Sequence, residues 1–94
     1  MLIACDFDGT LFRDGQINVK LIAYLKKMQK QGNIIILWTC RNPIRTAEAA
    51  NILRKNGFVP NFVNQNAPSA IKMLGHDPRK IYADVYIDDK NLIL

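Results

Sequence analysis

Two aspartates near the start of the chain have a spacing that suits phosphate or metal chemistry. Asp6 and Asp8 follow directly on the apolar residues 2–5, and Gly9 comes next. The apolar run predicts a short buried strand, because it lacks polar alternation and ends at a turn signal. A bend at Gly9 would let both carboxylates face the space beyond the strand. Carboxylates held this close repel unless a cation lies between them, and Mg²⁺ prefers such oxygen ligands.

Polar residues also follow two other strand-like segments. Thr39 closes the uniformly apolar run that begins at Ile34, and Asp88 and Asp89 follow a strand predicted over residues 81–87. The carboxyl ends of parallel strands lie on one edge of a sheet, where ligands bind. We therefore expect these residues to meet the first aspartate pair at that edge.

The elements that must position these residues alternate between strand and helix. Strands are predicted over residues 2–5, 34–39, 61–64 and 81–87, and helices over 19–31, 43–56 and 68–74. Asn18 and Asn42 are the expected N-caps, and Asp14-Gly15 is the signal for a turn or tight hairpin. The closing residues 92–94 could add an edge strand. The alternation predicts one α/β domain over residues 1–94, with a parallel sheet wrapped by helices.

Composition limits the classes of protein. The chain has 94 residues, 49% of them hydrophobic and 22% charged, which is ordinary for a globular protein. No apolar run reaches the roughly 18 residues of a membrane helix, so no membrane association is expected. The only two cysteines of the sequence, Cys5 and Cys40, lie in apolar runs, and no signal peptide is expected. They are expected to be free thiols in the cytoplasm.

The charge distribution favours anionic partners. The chain carries 13 Lys and Arg against 8 Asp and Glu, a net charge of +5. Asp6, Asp8, Asp88 and Asp89 belong to the predicted site, so the remaining surface is strongly basic. Such a surface attracts phosphorylated metabolites and nucleic acid.

The first acidic segment resembles a known motif. Residues 6–11, which read Asp-Phe-Asp-Gly-Thr-Leu, resemble the first motif of the haloacid dehalogenase superfamily, whose members are mostly Mg²⁺-dependent phosphatases. A threonine after the second strand, a lysine before the last strand and an acidic pair at its end resemble the remaining motifs. Residues 83–91 are also similar to 5′-deoxyribonucleotidases and to phage or bacterial hydrolases of the superfamily.

The resemblance covers residues 2–92 and implies a fold. It implies a Rossmann-like three-layer sandwich with a central parallel sheet. Larger members insert a cap domain after the first motif or the third strand, but residues 11–18 and 64–68 are too short for one. The resemblance thus implies a site without a cap.

The resemblance also implies catalytic roles. Asp6 would be the nucleophile that forms an aspartyl-phosphate. Asp8 would give a proton to the leaving oxygen and later accept one from water. The Asp6 carboxylate, the Asp8 backbone carbonyl and Asp89 would bind Mg²⁺, with Asp88 supporting this set from outside.

Phosphate binding is implied for the residues after the second strand. The Thr39 hydroxyl and the Cys40 amide would donate hydrogen bonds to a phosphate oxygen. Arg41 would either touch substrate or form a surface ion pair. The phosphate-binding lysine is expected to be Lys80, which precedes the final strand, although the spacing of Lys72 fits other branches of the superfamily.

The most favoured function is that of a Mg²⁺-dependent phosphatase acting on a small phosphate ester or nucleotide. One alternative is a polynucleotide 3′-phosphatase, because an uncapped site admits a bulky nucleic-acid end. Another is a non-catalytic relative that binds metal or a partner, although the usual mark, loss of Asp6 or Asp8, is absent. A response-regulator receiver is disfavoured, because its acidic pair ends the first strand. An exposed sheet edge would favour a homo-oligomer.

Overall fold

A four-stranded parallel sheet organises the computed structural model, which describes residues 1–92. In chain order the elements are β1 (Leu2–Asp6), β2 (Phe12–Arg13), β3 (Gln16–Ile17), α1 (Val19–Lys30), β4 (Ile34–Trp38), α2 (Pro43–Lys55), β5 (Phe62–Val63), α3 (Pro68–Leu74) and β6 (Val85–Ile87). The strand order is β5-β4-β1-β6, and every pairing in this sheet is parallel. The predicted α/β fold is confirmed. Of the edge strand considered at residues 92–94, residues 93 and 94 lie outside the described part.

Two hydrophobic clusters cover the two faces of the sheet, because side chains alternate along each strand. One face of β1 and β4 packs against α1 and α2, and its fully buried members include Cys5, Leu25, Leu37, Ala49 and Leu53. The other face packs against α3 and the segment before β6, through Ala4, Ile36, Ala67, Ala70 and Ile81. The result is the predicted three-layer sandwich. Residues 1–92 contain no separate cap domain.

The two longer helices begin at the carboxyl edge of the sheet. The Asn18 side chain accepts a hydrogen bond from the Leu21 amide at 3.1 Å and caps α1. The Asn42 side chain accepts one from the Arg45 amide at 2.9 Å and caps α2, which has Pro43 in its first turn. Both predicted caps are confirmed. No helix within residues 1–92 is long and apolar enough to cross a membrane.

A tight hairpin, β2–β3, follows the first motif. Its turn residues Asp14 and Gly15 have φ of 53° and 74°, the left-handed pair that a two-residue hairpin turn requires. The Phe12 ring stacks on the Phe7 ring with centroids 5.2 Å apart. The Gly9 amide donates a 2.8 Å hydrogen bond to the Phe12 carbonyl. The hairpin is therefore fixed against the end of β1.

The last strand is shorter than predicted, because it begins at Val85 rather than at Ile81. Ile81 and Ala83 are buried against one face of the sheet but are not part of any strand. The Tyr82 amide donates to the Asn66 side chain at 2.7 Å and is not available for a strand ladder. Burial without strand pairing produced the same sequence pattern as a strand.

Candidate active site

Three carboxylates meet at the carboxyl edge of the sheet. Asp6 ends β1, and Asp88 and Asp89 follow β6, which pairs directly with β1. One carboxylate oxygen from each residue lies within 4.8 Å of the others. We call these residues the acidic trio. The structure thus places Asp6 of the first acidic segment beside both acids of the last segment, Asp88 and Asp89.

The acidic trio carries unfavourable charge. Partial burial raises the pKa of Asp6 above its ordinary value, and the Asp88 charge raises it further. Hydrogen bonds from the Phe7 amide and, at 3.3 Å, from the Thr10 hydroxyl oppose this shift. A bound cation would remove the repulsion. An all-oxygen donor set with excess negative charge fits Mg²⁺.

Gly9 allows the first motif to lie against the last acidic pair. Its φ is +82°, which side chains of L-residues rarely permit. A Cβ added here would lie 2.9 Å from Cγ of Asp89 and closer still to its carboxylate oxygen. Glycine is therefore favoured by the backbone conformation, and a side chain at this position would displace the Asp89 carboxylate from its place beside the motif.

The Asp8 carboxylate is engaged by Arg41 and is not part of the acidic trio. Arg41 donates from Nε to Oδ2 at 2.8 Å and from Nη2 to Oδ1 at 2.7 Å. This bidentate pair lowers the pKa of Asp8, chiefly through its hydrogen bonds. Arg41 is itself held by the Phe7 ring, 4.8 Å from the guanidinium carbon, and by the Arg45 carbonyl. Of the two roles expected for Arg41, the structure contains the ion pair, with Asp8 as the partner.

Thr39 lies at the same edge, one residue beyond the end of β4. Its hydroxyl accepts a 3.2 Å hydrogen bond from the Arg41 amide. The Asn64 side chain accepts from the Thr39 amide at 2.8 Å and donates to the Thr39 carbonyl at 3.0 Å. Asn64 was missed by the sequence reasoning, although a polar residue at the end of the strand predicted over 61–64 was a visible signal. Cys40 is exposed beside Thr39.

The two candidate lysines occupy different ends of the sheet. Lys80 lines a cavity of about 270 Å³ together with Trp38 and Asp88, so it lies near the acidic trio. Its Nζ lies 5.5 Å from the centroid of the Tyr86 ring. Lys72 belongs to the last turn of α3, which connects parallel strands and so ends away from the carboxyl edge. Of the two lysines, Lys80 is the one that shares a cavity with a member of the trio, Asp88.

An open cavity of about 520 Å³ lies beside the acidic trio under the β2–β3 hairpin. Its wall is formed by Asp88 and Asp89 on one side and by the hairpin and the start of α1 on the other. The cavity therefore joins the carboxylates to a surface built from residues 13–18. This space is where a bound molecule could extend from the trio.

The comparisons with known proteins agree with this arrangement. Residues 3–67 match the family model described as haloacid dehalogenase-like hydrolase. Among solved structures, the chain is similar to a conserved protein coded by a locus from Bacteroides thetaiotaomicron, with 32% identity and a TM-score of 0.83. That match covers 98% of this chain and 78% of the other. A search of curated proteins gave no match.

The adjacent parallel strands β1 and β6 both end in acidic residues, which form a candidate ligand site at the carboxyl edge of an α/β domain. The chain belongs to the haloacid dehalogenase-like hydrolase family, because the family model covers more than half of it. The resemblance drawn from residues 6–11 is confirmed.

Proposed function

We propose that the protein is a Mg²⁺-dependent phosphatase that hydrolyses phosphate monoesters of small metabolites or nucleotides. The observation that carries the proposal is the acidic trio, three carboxylate oxygens within 4.8 Å at the ends of β1 and β6. The trio lies in a chain that belongs to a hydrolase family. Its position at the carboxyl edge of a parallel sheet is where such folds bind ligands.

Asp6, Asp88 and Asp89 would hold Mg²⁺, and the Asp8 backbone carbonyl is the further ligand expected from the family motif. When bound, the ion would offset the repulsion between Asp6 and the oxygens of a phosphate dianion. This assignment uses every carboxylate of the trio.

Asp6 is the proposed nucleophile. Its carboxylate oxygen attacks phosphorus, the ester P–O bond breaks, and the leaving oxygen takes a proton from Asp8. Water then attacks the aspartyl-phosphate while Asp8 accepts the proton of that water. Inorganic phosphate and a free Asp6 carboxylate result. The neighbouring Cys5 does not compete as a nucleophile, because burial, Asp6 and Asp88 raise its pKa to about 12.

The Asp8–Arg41 ion pair bears on the proton transfer. In the free protein Arg41 keeps Asp8 ionised, which suits the second step but not the first. A phosphate group offers Arg41 other anionic oxygens, so substrate would weaken the ion pair and let the pKa of Asp8 rise again. The Thr39 hydroxyl and the Cys40 amide would hold a phosphate oxygen. Lys80 would add positive charge on the other side.

Hydrolysis of an aryl phosphate tests the proposal. Purified protein with Mg²⁺ should release phosphate from phenyl phosphate, and Asp6→Asn should abolish this while leaving the circular dichroism spectrum unchanged. Glu48→Gln is a matched control, because Glu48 is a surface acid that pairs with Arg45 on α2. Hydrolysis that persists in Asp6→Asn, or that needs no divalent ion, would reject the mechanism.

The open site favours a polynucleotide 3′-phosphatase as a second candidate. The net charge of +5 would attract a polyanion. Among the described residues, the β2–β3 hairpin is the part of the chain that projects beside the site, so the site stays open to a bulky substrate. Such an enzyme should release phosphate from a 3′-phosphorylated oligonucleotide faster than from a mononucleotide, with a rate that falls steeply as salt rises. Mg²⁺ binding with no hydrolysis of either substrate would instead support the non-catalytic relative. The homo-oligomer stays a prediction.

A further inference from the structure

The β2–β3 hairpin places Arg13 beside Asp89, one member of the acidic trio. Arg13 Nη2 donates a 2.9 Å hydrogen bond to the Gly9 carbonyl and lies 3.6 Å from Oδ2 of Asp89. The separation from Asp89 exceeds a hydrogen bond, and the Arg13 side chain is 65% exposed. Arg13 is therefore only a weak partner of Asp89.

The rest of the Arg13 guanidinium is available to a ligand. Within residues 1–92, the contacts of Arg13 run through Nη2, which leaves Nε and Nη1 without a protein acceptor. A guanidinium forms a bidentate fork only from Nε with Nη2 or from Nη1 with Nη2, so the free Nε and Nη1 of Arg13 would each donate singly to an oxygen of a carboxylate or a phosphate. Arg41 differs, because its fork is already filled by Asp8 and its side chain is 13% exposed.

The cavity beside Arg13 has room for a group other than the reacting phosphate, and Arg13 is the only cationic side chain among the described residues that line it, against the acids Asp14, Asp88 and Asp89. The cavity of about 520 Å³ runs from Asp88 and Asp89 to the hairpin, and Gln16, Asn18 and Thr10 add polar side chains to its wall. The turn at Asp14 and Gly15 and the stacking of Phe12 on Phe7 hold the hairpin in place. The position of the Arg13 backbone is thus fixed relative to the trio.

We infer that Arg13 is a specificity-determining residue that binds a second anionic group on the leaving part of the substrate. The inference rests on the proposed function. A divalent cation on Asp89 would take over the neutralisation of that carboxylate, so Arg13 would be released toward the cavity. Phosphate monoesters that also carry a carboxylate or another phosphate are then the preferred substrate class.

The test compares matched substrates in wild type and Arg13→Gln. Phenyl phosphate has no second anion, whereas 2-, 3- and 4-carboxyphenyl phosphate carry one at three positions. Wild type should favour at least one carboxyphenyl phosphate, and Arg13→Gln should reduce its kcat/KM by about three- to tenfold, through KM. The same variant should change kcat/KM for phenyl phosphate by less than about twofold. Arg54→Gln is the control, because it removes an equal charge from an arginine whose guanidinium contacts Asn51 on α2.

Calorimetric titration with phenylphosphonate and the three carboxyphenylphosphonates, in Mg²⁺, gives a readout without turnover. Arg13→Gln should weaken binding of the favoured carboxyphenylphosphonate and leave phenylphosphonate unchanged. The inference is overturned if wild type favours no carboxylated ligand, or if Arg54→Gln has the same effect as Arg13→Gln. If phenyl phosphate is not hydrolysed, the proposed function fails, while the titration still decides the role of Arg13.

Discussion

Replacing Asp6 with asparagine should stabilise the metal-free protein. The acidic trio holds its oxygens within 4.8 Å, and Coulomb's law at that distance gives about 0.9 kcal/mol per pair in water and about 3.5 kcal/mol at an effective dielectric constant of 20. Asp6 has two such neighbours, but both are exposed, so screening favours the lower value. We expect a gain of about 1–2 kcal/mol in the free energy of unfolding.

Asparagine preserves the local hydrogen bond, because its side-chain oxygen can still accept from the Thr10 hydroxyl. The comparison therefore isolates the charge. For a domain of this size, 1 kcal/mol shifts Tm by about 4–8 °C, so a thermal melt in low salt and a metal chelator should show a rise of at least about 4 °C. Added Mg²⁺ should raise the Tm of wild type more than that of Asp6→Asn.

Two controls define the result. Glu48→Gln removes an acid that faces Arg45, so it should leave Tm unchanged or lower it slightly. The advantage of Asp6→Asn should shrink in high salt, where exposed charges are screened. A variant that is no more stable than wild type in low salt would refute the account of the trio as a repulsive cluster.

The same substitution predicts a pH dependence. The pKa of Asp6 is raised in the folded state, so folding binds a proton and wild type loses stability as pH rises through that raised pKa. The advantage of Asp6→Asn should therefore be absent below the ordinary pKa of aspartate and should grow as pH rises toward neutrality. Urea unfolding at a series of pH values measures both curves. An advantage that is constant with pH would assign the effect to something other than the Asp6 charge.

Two further predictions concern Gly9 and the cysteines. Gly9→Ala should destabilise the protein and weaken Mg²⁺ binding, because its Cβ would meet the Asp89 carboxylate. Gly15→Ala should lower the free energy of unfolding by only about 1–2 kcal/mol, the cost of a left-handed backbone conformation, because nothing lies within 4 Å of its added Cβ. Urea unfolding of both variants checks this, and equal costs would contradict the role given to Asp89. Cys40 should react with a thiol reagent in the native protein, while Cys5, buried and with a pKa of about 12, should react only after denaturation. Mass spectrometry of the labelled peptides distinguishes the two sites.

The fold was predictable because its signals are local and agree with one another. Asparagine caps precede α1 and α2, Gly75 ends α3, and β4 is uniformly apolar. Parallel topology then followed from the alternation of strand and helix. The start of β6 was wrong, because burial of Ile81 under the sheet has the same signature as a buried strand.

The candidate site was predictable in outline only. Residue types at strand ends indicated that Asp6 and Asp89 would meet, since that depends on topology alone. The partner of each polar side chain depends on three-dimensional packing, which no spacing rule encodes. The Arg41–Asp8 pair, the bracketing of Thr39 by Asn64 and the contact of Arg13 with Gly9 are all of this kind.

The short β6 gives the site an unusual dependence on local opening. β6 has only three residues and lies at one edge of the sheet. Just before β6, the Asp84 carboxylate accepts a hydrogen bond from the Leu2 amide of β1, 82 residues away in sequence. Fraying of this edge would carry Asp88 and Asp89 away from Asp6 without unfolding the rest. An ion bound by Asp6, Asp88 and Asp89 would link the ends of β1 and β6 and so oppose this fraying. The rate of amide hydrogen exchange along β6 should therefore fall when the site is occupied.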